Sequence, residues 1–297
     1  MKKISKLIFT SIFLFGCSQQ FSQVGSSILS STGIVTSSQA DAIFAAGNKL
    51  SKAVEKVTDE QEYYLGRAVS ASILSKYPLY QNASVTNYAN KIAGALVAHS
   101  SRPETFGGYY VAFLDTPQIN AVSAPGGFIF ISKGFLSLLE NEDQLAAVIA
   151  HEIAHVALKH GTQAISDSNL TDALQIIGKE AVNTASSGAL SELNSLFGDS
   201  VNEVVGTLLD KGYSRSQEYE SDEYAANLLN KAGYNSSQLS VALGKLSKAG
   251  SSNGGWFETH PDSADRIDEL EDFNTSGAAT TGQTKREQRF KKTVRIK

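Results

Sequence analysis

Two histidines and a glutamate near the middle of the chain form the pattern His151-Glu152-x-x-His155. Because four residues of an α-helix advance by about 400°, the two imidazoles lie on one face, where they can bind a single tetrahedral Zn²⁺. Glu152 lies about 100° round the helix from His151, beside the metal but not on it. Its carboxylate can take a proton from a zinc-bound water, whose pKa the ion lowers. The pattern therefore predicts metal-assisted hydrolysis with Glu152 as general base.

The residues around this pattern argue against a chance match. Segments 145–149 and 153–158 are apolar apart from His155, which predicts a helix that is buried over most of its circumference. Two histidines and a glutamate are costly to bury in such a helix unless a partner satisfies them, and a metal ion would do so. His160, nine residues after His151, is about half a turn out of phase and is expected to face elsewhere.

A catalytic zinc usually has three protein ligands, and the third is predicted to be a carboxylate on another helix. Glu218, Asp222 and Ala225 are spaced at i, i+4 and i+7, with Arg215 at i−3 on the same face. Glu218 is the predicted ligand, and Asp222 can accept the distal N–H of a ligand imidazole. Arg215 is expected beside them, and Ala225 leaves room for close helix approach. The alternative for this acidic run is a solvated helix face.

The elements that position these residues are mostly helical. Apolar periodicity predicts helices at residues 41–56, 58–77, 85–96, 134–140, 144–160, 214–232 and 237–249. Asp143 is the expected N-cap of the 144–160 helix and Gly161 its stop. Residues 109–114 and a hairpin at 120–131 that turns at Pro125-Gly126-Gly127 are strand-like. These patterns predict an α+β, predominantly helical domain with one small β-sheet.

Composition limits the classes of function. The 297 residues are 41% hydrophobic, which allows one sizeable core. The net charge of −4 provides no general basic surface, so nucleic acid is not an expected partner. The single cysteine, Cys17, excludes an intramolecular disulfide and a cysteine-based zinc finger.

The N-terminus has the pattern of a bacterial secretion signal. Three lysines precede residues 7–15, which are apolar apart from Thr10 and Ser11 and are too few to span a bilayer, since a span needs about 20. Leu14-Phe15-Gly16-Cys17 resembles a lipobox, which predicts a signal peptide at residues 1–17 and a lipid on Cys17. The alternative is an ordinary signal peptide with an incidental cysteine. Ser18 resembles the outer-membrane sorting signal, and residues 18–57 are expected to form a tether and an N-terminal helix.

Taken together, the two metal motifs and residues 120–134 resemble the zinc metallopeptidase family of HtpX, BepA and the CAAX prenyl protease, which are gluzincins. The resemblance extends over residues 62–270 and is closest to short, stand-alone outer-membrane lipoprotein members. It implies a zincin-like metalloprotease domain, here residues 58–273, with Glu218 as third ligand and Asp222 beside it. Ser221 stands where alanine is common in the family.

The same resemblance implies roles for two further regions. Residues 120–131 resemble the family's edge strand next to the cleft, with Val122, Ser123 and Ala124 as candidates for substrate contact. The alternative is a hairpin without direct substrate contact. His260 and Arg266 also match a family pattern. His260 can donate to the oxyanion or serve as a reversible fourth ligand that silences the zinc, and Arg266 can pair with Asp222 or another carboxylate.

The C-terminal residues 274–297 combine a Gly/Thr/Ser-rich start with a basic end. Such a tail can contact anionic lipid or stay solvated, and the lack of an apolar face favours a flexible, solvated tail.

These observations predict a zinc-dependent endopeptidase of the bacterial cell envelope with one Zn²⁺ per chain. Its expected substrates are proteins or peptides, especially misfolded or unassembled envelope proteins. The expected location is the outer membrane, facing the periplasm, with envelope assembly or quality-control proteins as partners. The alternative is a periplasmic chaperone or assembly factor whose zinc site is latent or structural.

Overall fold

The computed structural model describes residues 57–165, 198, 201–249, 260, 263–271 and 282–294. The described helices, named α1 to α9 in chain order, are Asp59–Lys76, Ala83–Val97, Lys133–Leu138, Glu142–Ala157, His160–Gln163, Arg215–Lys231, Ser237–Ala249, Ser263–Glu271 and Gln283–Thr293. The described strands, β1 to β3, are Tyr110–Leu114, Ala121–Ala124 and Phe128–Ser132. The predicted helical α+β fold with one small sheet is confirmed. The predicted signal peptide, Cys17 and the 41–56 helix lie outside the described residues.

The sheet has the strand order β1-β3-β2, with β1 parallel and β2 antiparallel to β3. The predicted hairpin is confirmed, and its turn is a short 3₁₀ segment, Pro125–Gly127. Gly126 and Gly127 have φ values of 76° and 107°, which favour glycine. The turn packs so closely on α1 that a Cβ at Gly66 would lie 1.8 Å from the Pro125 carbonyl oxygen. Glycine at position 66 is therefore required for α1 to support the hairpin.

Helix α4 carries the His-Glu-x-x-His pattern and is buried along nearly its whole length. Its N-cap is Asn141, whose side chain accepts a hydrogen bond from the Gln144 amide. The predicted cap, Asp143, instead lies inside the first turn. The predicted stop at Gly161 is also wrong, because α4 ends at Ala157 and Lys159 adopts a left-handed conformation with φ 59°. This residue redirects the chain into the short helix α5.

Helix α6 packs against α4 and carries the second motif. A capping box starts it: the Ser214 hydroxyl accepts from the Gln217 amide, and the Gln217 side chain accepts from the Ser214 amide. Gly233, with φ 79°, follows its end, as predicted. Ala225 is fully buried, which allows the close approach of the two helices. The apolar core around them includes Leu145, Ile149 and Leu229.

The prediction of a flexible basic tail over residues 274–297 is wrong for α9. This helix packs against the N-terminal part of α4. Arg286 donates two hydrogen bonds to the carboxylate of Asp143, and Arg289 donates two to that of Glu142. Phe290 is buried in the core. Ion pairs and one buried aromatic side chain, rather than a long apolar face, hold this helix on the domain.

Among the described residues, the helices are too short or too polar for any of them to cross a bilayer. All described residues belong to one compact unit, Ala53–Lys297.

Candidate active site

Side chains from α4 and α6 meet in the buried space between the two helices. The Nε2 atoms of His151 and His155 are 3.1 Å apart. Each lies 3.5 Å from a carboxylate oxygen of Glu218. All three side chains are at most 1% exposed. The structure therefore brings together the three residues that the sequence predicts as metal ligands.

His260 completes this group as a fourth donor. Its Nδ1 lies 2.8 Å from Glu218 Oε1 and 3.4 Å from His151 Nε2. With metal–ligand bonds of about 2.1 Å, the donors of a tetrahedral zinc site stand about 3.4 Å apart. The observed separations of 2.8–3.5 Å are close to this value. The four side chains thus surround a space of the size that a single metal ion needs.

Glu152 is fully buried beside these donors, and neither of its carboxylate oxygens has a hydrogen-bond partner among the described residues. Its Oε1 lies 3.8 Å from Nε2 of His260. Burial raises the pKa of Glu152, although His260 and His151 oppose the rise. A buried carboxylate next to a donor cluster fits a group that handles a proton.

Asp222 and Arg266 contact the predicted ligands His151 and Glu218. Asp222 Oδ1 lies 3.0 Å from His151 Nδ1, so the ring turns its Nε2 toward the other donors. Arg266 donates to both oxygens of Asp222 at 2.6 and 2.8 Å, and its Nη1 lies 2.6 Å from Glu218 Oε2. Burial opposes ionisation of Glu218, but the neighbouring His260 and Arg266 hold its pKa well below the usual value.

Arg215 does not lie beside Glu218 and Asp222, contrary to the prediction. Its side chain is 64% exposed, and its Nη1 lies 3.7 Å from an Asp265 oxygen. The buried cation beside Glu218 and Asp222 is Arg266, which is 1% exposed and comes from α8. Arg215 lies in the first turn of α6, where the side chain points to solvent.

His160 contacts the predicted ligand His155, contrary to its expected orientation. Its Nδ1 lies 2.9 Å from His155 Nδ1, and the Ser221 hydroxyl lies 3.3 and 3.4 Å from these two atoms. Its Nε2 is 3.5 Å from Glu220, whose side chain is 63% exposed. The left-handed turn at Lys159 breaks the helical phase on which the prediction depended. Burial lowers the pKa of His160 to about 4, so the ring is neutral and its Nδ1 can accept a hydrogen bond from the Nδ1–H of His155.

Tyr213 is a site residue that the sequence analysis missed. Its ring stacks on that of His155, with centroids 4.2 Å apart and an interplanar angle of 17°. The aromatic face of Tyr213 covers one side of the His155 ring. No spacing rule could find it, because Tyr213 precedes α6 in an irregular segment.

Strand β2 forms one edge of the described sheet. The carbonyl oxygen of Asn120 accepts from the Ser132 amide, so alternation directs the main-chain groups of Ala121 and Ser123 away from β3. The candidate side chains Val122, Ser123 and Ala124 are all buried. His260 Nε2 lies 3.4 Å from the Ala121 carbonyl oxygen, at this edge. The edge strand is therefore next to the donor cluster.

Comparison with known families agrees with this geometry. The model of peptidase family M48 matches residues 81–274, which include the four donors and Glu152. This chain belongs to peptidase family M48. The match confirms the resemblance seen in the sequence, and M48 membership supports metalloendopeptidase activity.

Several M48-like relatives are known at low identity. The β-barrel assembly-enhancing protease of Escherichia coli K12 is 25% identical over 187 residues, 63% of this chain and 37% of that protein. The metalloprotease YcaL of the same strain is 28% identical over 167 residues, 54% of this chain and 61% of that protein. The mitochondrial metalloendopeptidase OMA1 of Bos taurus is 29% identical over 169 residues, 55% of this chain and 32% of that protein. The chain covers less than two thirds of each relative.

Proposed function

We propose that this M48 peptidase is a zinc-dependent endopeptidase of the bacterial cell envelope. The observation that carries the proposal is the grouping of donor atoms from His151, His155, Glu218 and His260 within 4.8 Å of one another, beside the buried carboxylate of Glu152. Nitrogen and carboxylate donors at these separations suit Zn²⁺. We assign His151, His155 and Glu218 as the permanent ligands, in a domain of residues 58–273 that α9 extends.

Bound zinc would supply Lewis acidity toward the scissile carbonyl and toward a water. Glu152 takes the proton from that water and passes it to the leaving amine, which its raised pKa favours. Asp222 and His160 hold the rings of His151 and His155 by their distal nitrogens. The burial of the site keeps bulk water away from these groups.

Substrate binding is proposed at the edge of β2. An extended peptide can pair with the main-chain groups of Ala121 and Ser123 by adding a strand. Val122 and Ala124 support this edge from the core, and the Ser123 side chain opposes the rise in the pKa of Glu152 that burial causes. Because His260 occupies both this edge and the fourth donor position, a peptide must displace it or use it as a hydrogen-bond donor.

The cellular setting is proposed from the N-terminal pattern and from the relatives. The lipobox-like Cys17 would attach a lipid, and Ser18 favours the outer membrane, where the domain would face the periplasm. A relative is named as a protease that enhances β-barrel assembly. We therefore propose misfolded or unassembled envelope proteins as substrates, and envelope assembly or quality-control proteins as partners.

Cleavage of an unfolded protein tests the proposed chemistry. The wild type should cleave reduced casein, and Glu152→Gln should lower the rate by at least about 100-fold while it keeps its zinc. Glu104→Gln, an exposed acidic position, serves as the control and should behave as the wild type. Equal rates for the wild type and Glu152→Gln would reject Glu152 as general base.

A second candidate function is a chaperone or assembly factor with a latent zinc site. The position of His260 in the fourth donor corner favours it, since a closed coordination shell is typical of structural sites. His260→Ala distinguishes the alternatives. A rise in cleavage identifies His260 as an inhibitory ligand, and a fall identifies it as a donor to the oxyanion. Zinc binding without cleavage in either form would favour the chaperone.

A further inference from the structure

The charge of the chain is divided unevenly along its length. Residues 274–297 contain seven Lys and Arg residues and one Glu, a net charge of +6. The other residues therefore carry −10, which together gives the net charge of −4. Such a charge asymmetry orients a protein in an electric field or next to a charged surface.

Helix α9 fixes this positive end on the folded domain. Arg286, Arg289 and Phe290 hold it against α4 through the contacts with Asp143, Glu142 and the core. Glu142 also accepts hydrogen bonds from the hydroxyls of Tyr88 and Tyr234. Arg286 and Arg289 are thus used to dock the helix. The carboxylates of Asp143 and Glu142 offset only these two charges, so the positive charge of the lysines on the helix remains.

The opposite side of α9 is exposed and basic. At 100° per residue, Lys285, Gln288, Lys291 and Lys292 occupy an arc of about 120° that faces away from Arg286 and Phe290. All four are exposed. Lys292 also lines a cleft of about 680 Å³ together with Lys91 of α2. No described carboxylate forms an ion pair with Lys91, Lys285, Lys291 or Lys292.

We propose that this basic face, defined as Lys285, Lys291, Lys292 and Lys91, binds the surface of an anionic phospholipid bilayer. The face contains no exposed aromatic side chain on which a nucleic-acid base could stack. It also lacks the buried aromatic or arginine anchor that centres most protein interfaces. Cations without an apolar anchor suit adsorption to a charged headgroup layer, where each contributes about fivefold to binding.

The position of the basic face agrees with access to the active site. Helix α9 packs on the first turn of α4, whereas His151 and His155 lie 8 and 12 residues beyond Asp143. At 1.5 Å per residue the ligands are about 12–18 Å farther along the helix. The donor cluster is therefore separate from the contact between α9 and α4. The proposal requires neither the zinc chemistry nor a lipid on Cys17.

Vesicle binding tests the proposal with the full-length chain carrying Cys17→Ser, so that no lipid can be attached. In this background, the triple variant Lys285→Gln, Lys291→Gln, Lys292→Gln should bind equimolar phosphatidylglycerol and phosphatidylcholine vesicles about 100-fold more weakly. The triple substitution should not change binding to pure phosphatidylcholine vesicles, because their surface has no net charge. Cosedimentation measures both, and the affinity difference should shrink at high salt.

A matched control removes three exposed lysines elsewhere: Lys76→Gln, Lys231→Gln and Lys248→Gln. It should bind anionic vesicles much as the Cys17→Ser chain does, and thermal unfolding should show that all forms are folded. Equal binding by the triple variant and the control would overturn the proposal. A second outcome would also overturn it: the triple variant binds vesicles as before but no longer binds a soluble acidic polypeptide. That result would assign the face to an acidic protein.

Discussion

At the scale of residues, the grouping of the candidate metal ligands was predictable because their arrangement depends on helical phase. His151 and His155 are one turn apart on α4, and Glu218 and Asp222 are one turn apart on α6. The contact of His160 with His155 was not predictable, because one left-handed residue, Lys159, changes the phase. The stacking of Tyr213 depends on an irregular segment for which the sequence contains no periodic signal.

The hydrogen bonds around His155 lead to a prediction about metal affinity. His160→Gln and Ser221→Ala should each weaken zinc binding by about 10- to 100-fold, because they loosen the distal nitrogen of a ligand. Competition with a chromophoric chelator measures this affinity. Ser216→Ala, an exposed serine on the same helix, should leave the affinity unchanged. Wild-type affinity in both test variants would show that these contacts do not position His155.

The pairing of Asp222 with Arg266 leads to a prediction about stability. Asp222→Asn should lower the free energy of unfolding by about 3 kcal/mol, because it leaves a buried guanidinium partly uncompensated. Urea denaturation measures the change. Glu223→Gln, an exposed neighbour on α6, should change stability by less than about 0.5 kcal/mol. A similarly small effect of Asp222→Asn would contradict the central role of this pair.

At the scale of elements, local patterns predicted the hairpin and the main helices within a few residues. The alternation of apolar and polar residues, the turn glycines and the capping residues are all signals that lie within a few positions of one another in the sequence. Helix α9 escaped prediction because its stability depends on partners far away in the sequence, Glu142 and Asp143. Asp143 was predicted only as the N-cap of α4, and the pairing of these acidic residues with a basic tail is a tertiary contact.

The docking of α9 predicts a graded set of effects. Phe290→Ala should lower the free energy of unfolding by about 3 kcal/mol through lost core contacts. Arg289→Gln, whose side chain is 57% exposed, should cost less than about 1 kcal/mol. Urea denaturation of both variants measures the difference. If Phe290→Ala were as stable as the wild type, α9 would not be part of the folded domain in solution.

At the scale of the whole molecule, the buried donor cluster links metal binding to folding. Four donors that are nearly inaccessible to solvent come from α4, α6 and the segment at His260, so a bound ion connects parts that are distant in sequence. An ion that binds only the native state stabilises it by mass action. The metal is therefore expected to support the fold as well as the reaction.

Metal removal tests this link. A chelator should lower the melting temperature of the wild type by several degrees, and added Zn²⁺ should restore it. His151→Ala should show little response to either treatment because it lacks a ligand, whereas Glu152→Gln should respond as the wild type does. Calorimetry measures all three proteins. A chelator-insensitive wild type would mean that the folded chain does not hold an ion at this site.

Anomalous diffraction at the zinc absorption edge, from crystals grown with Zn²⁺, tests the central claim most directly. One peak per chain is predicted, about 2.0–2.2 Å from Nε2 of His151, Nε2 of His155 and a carboxylate oxygen of Glu218. A peak at another site, or a Glu218 side chain turned away from the two histidines, would contradict the assignment.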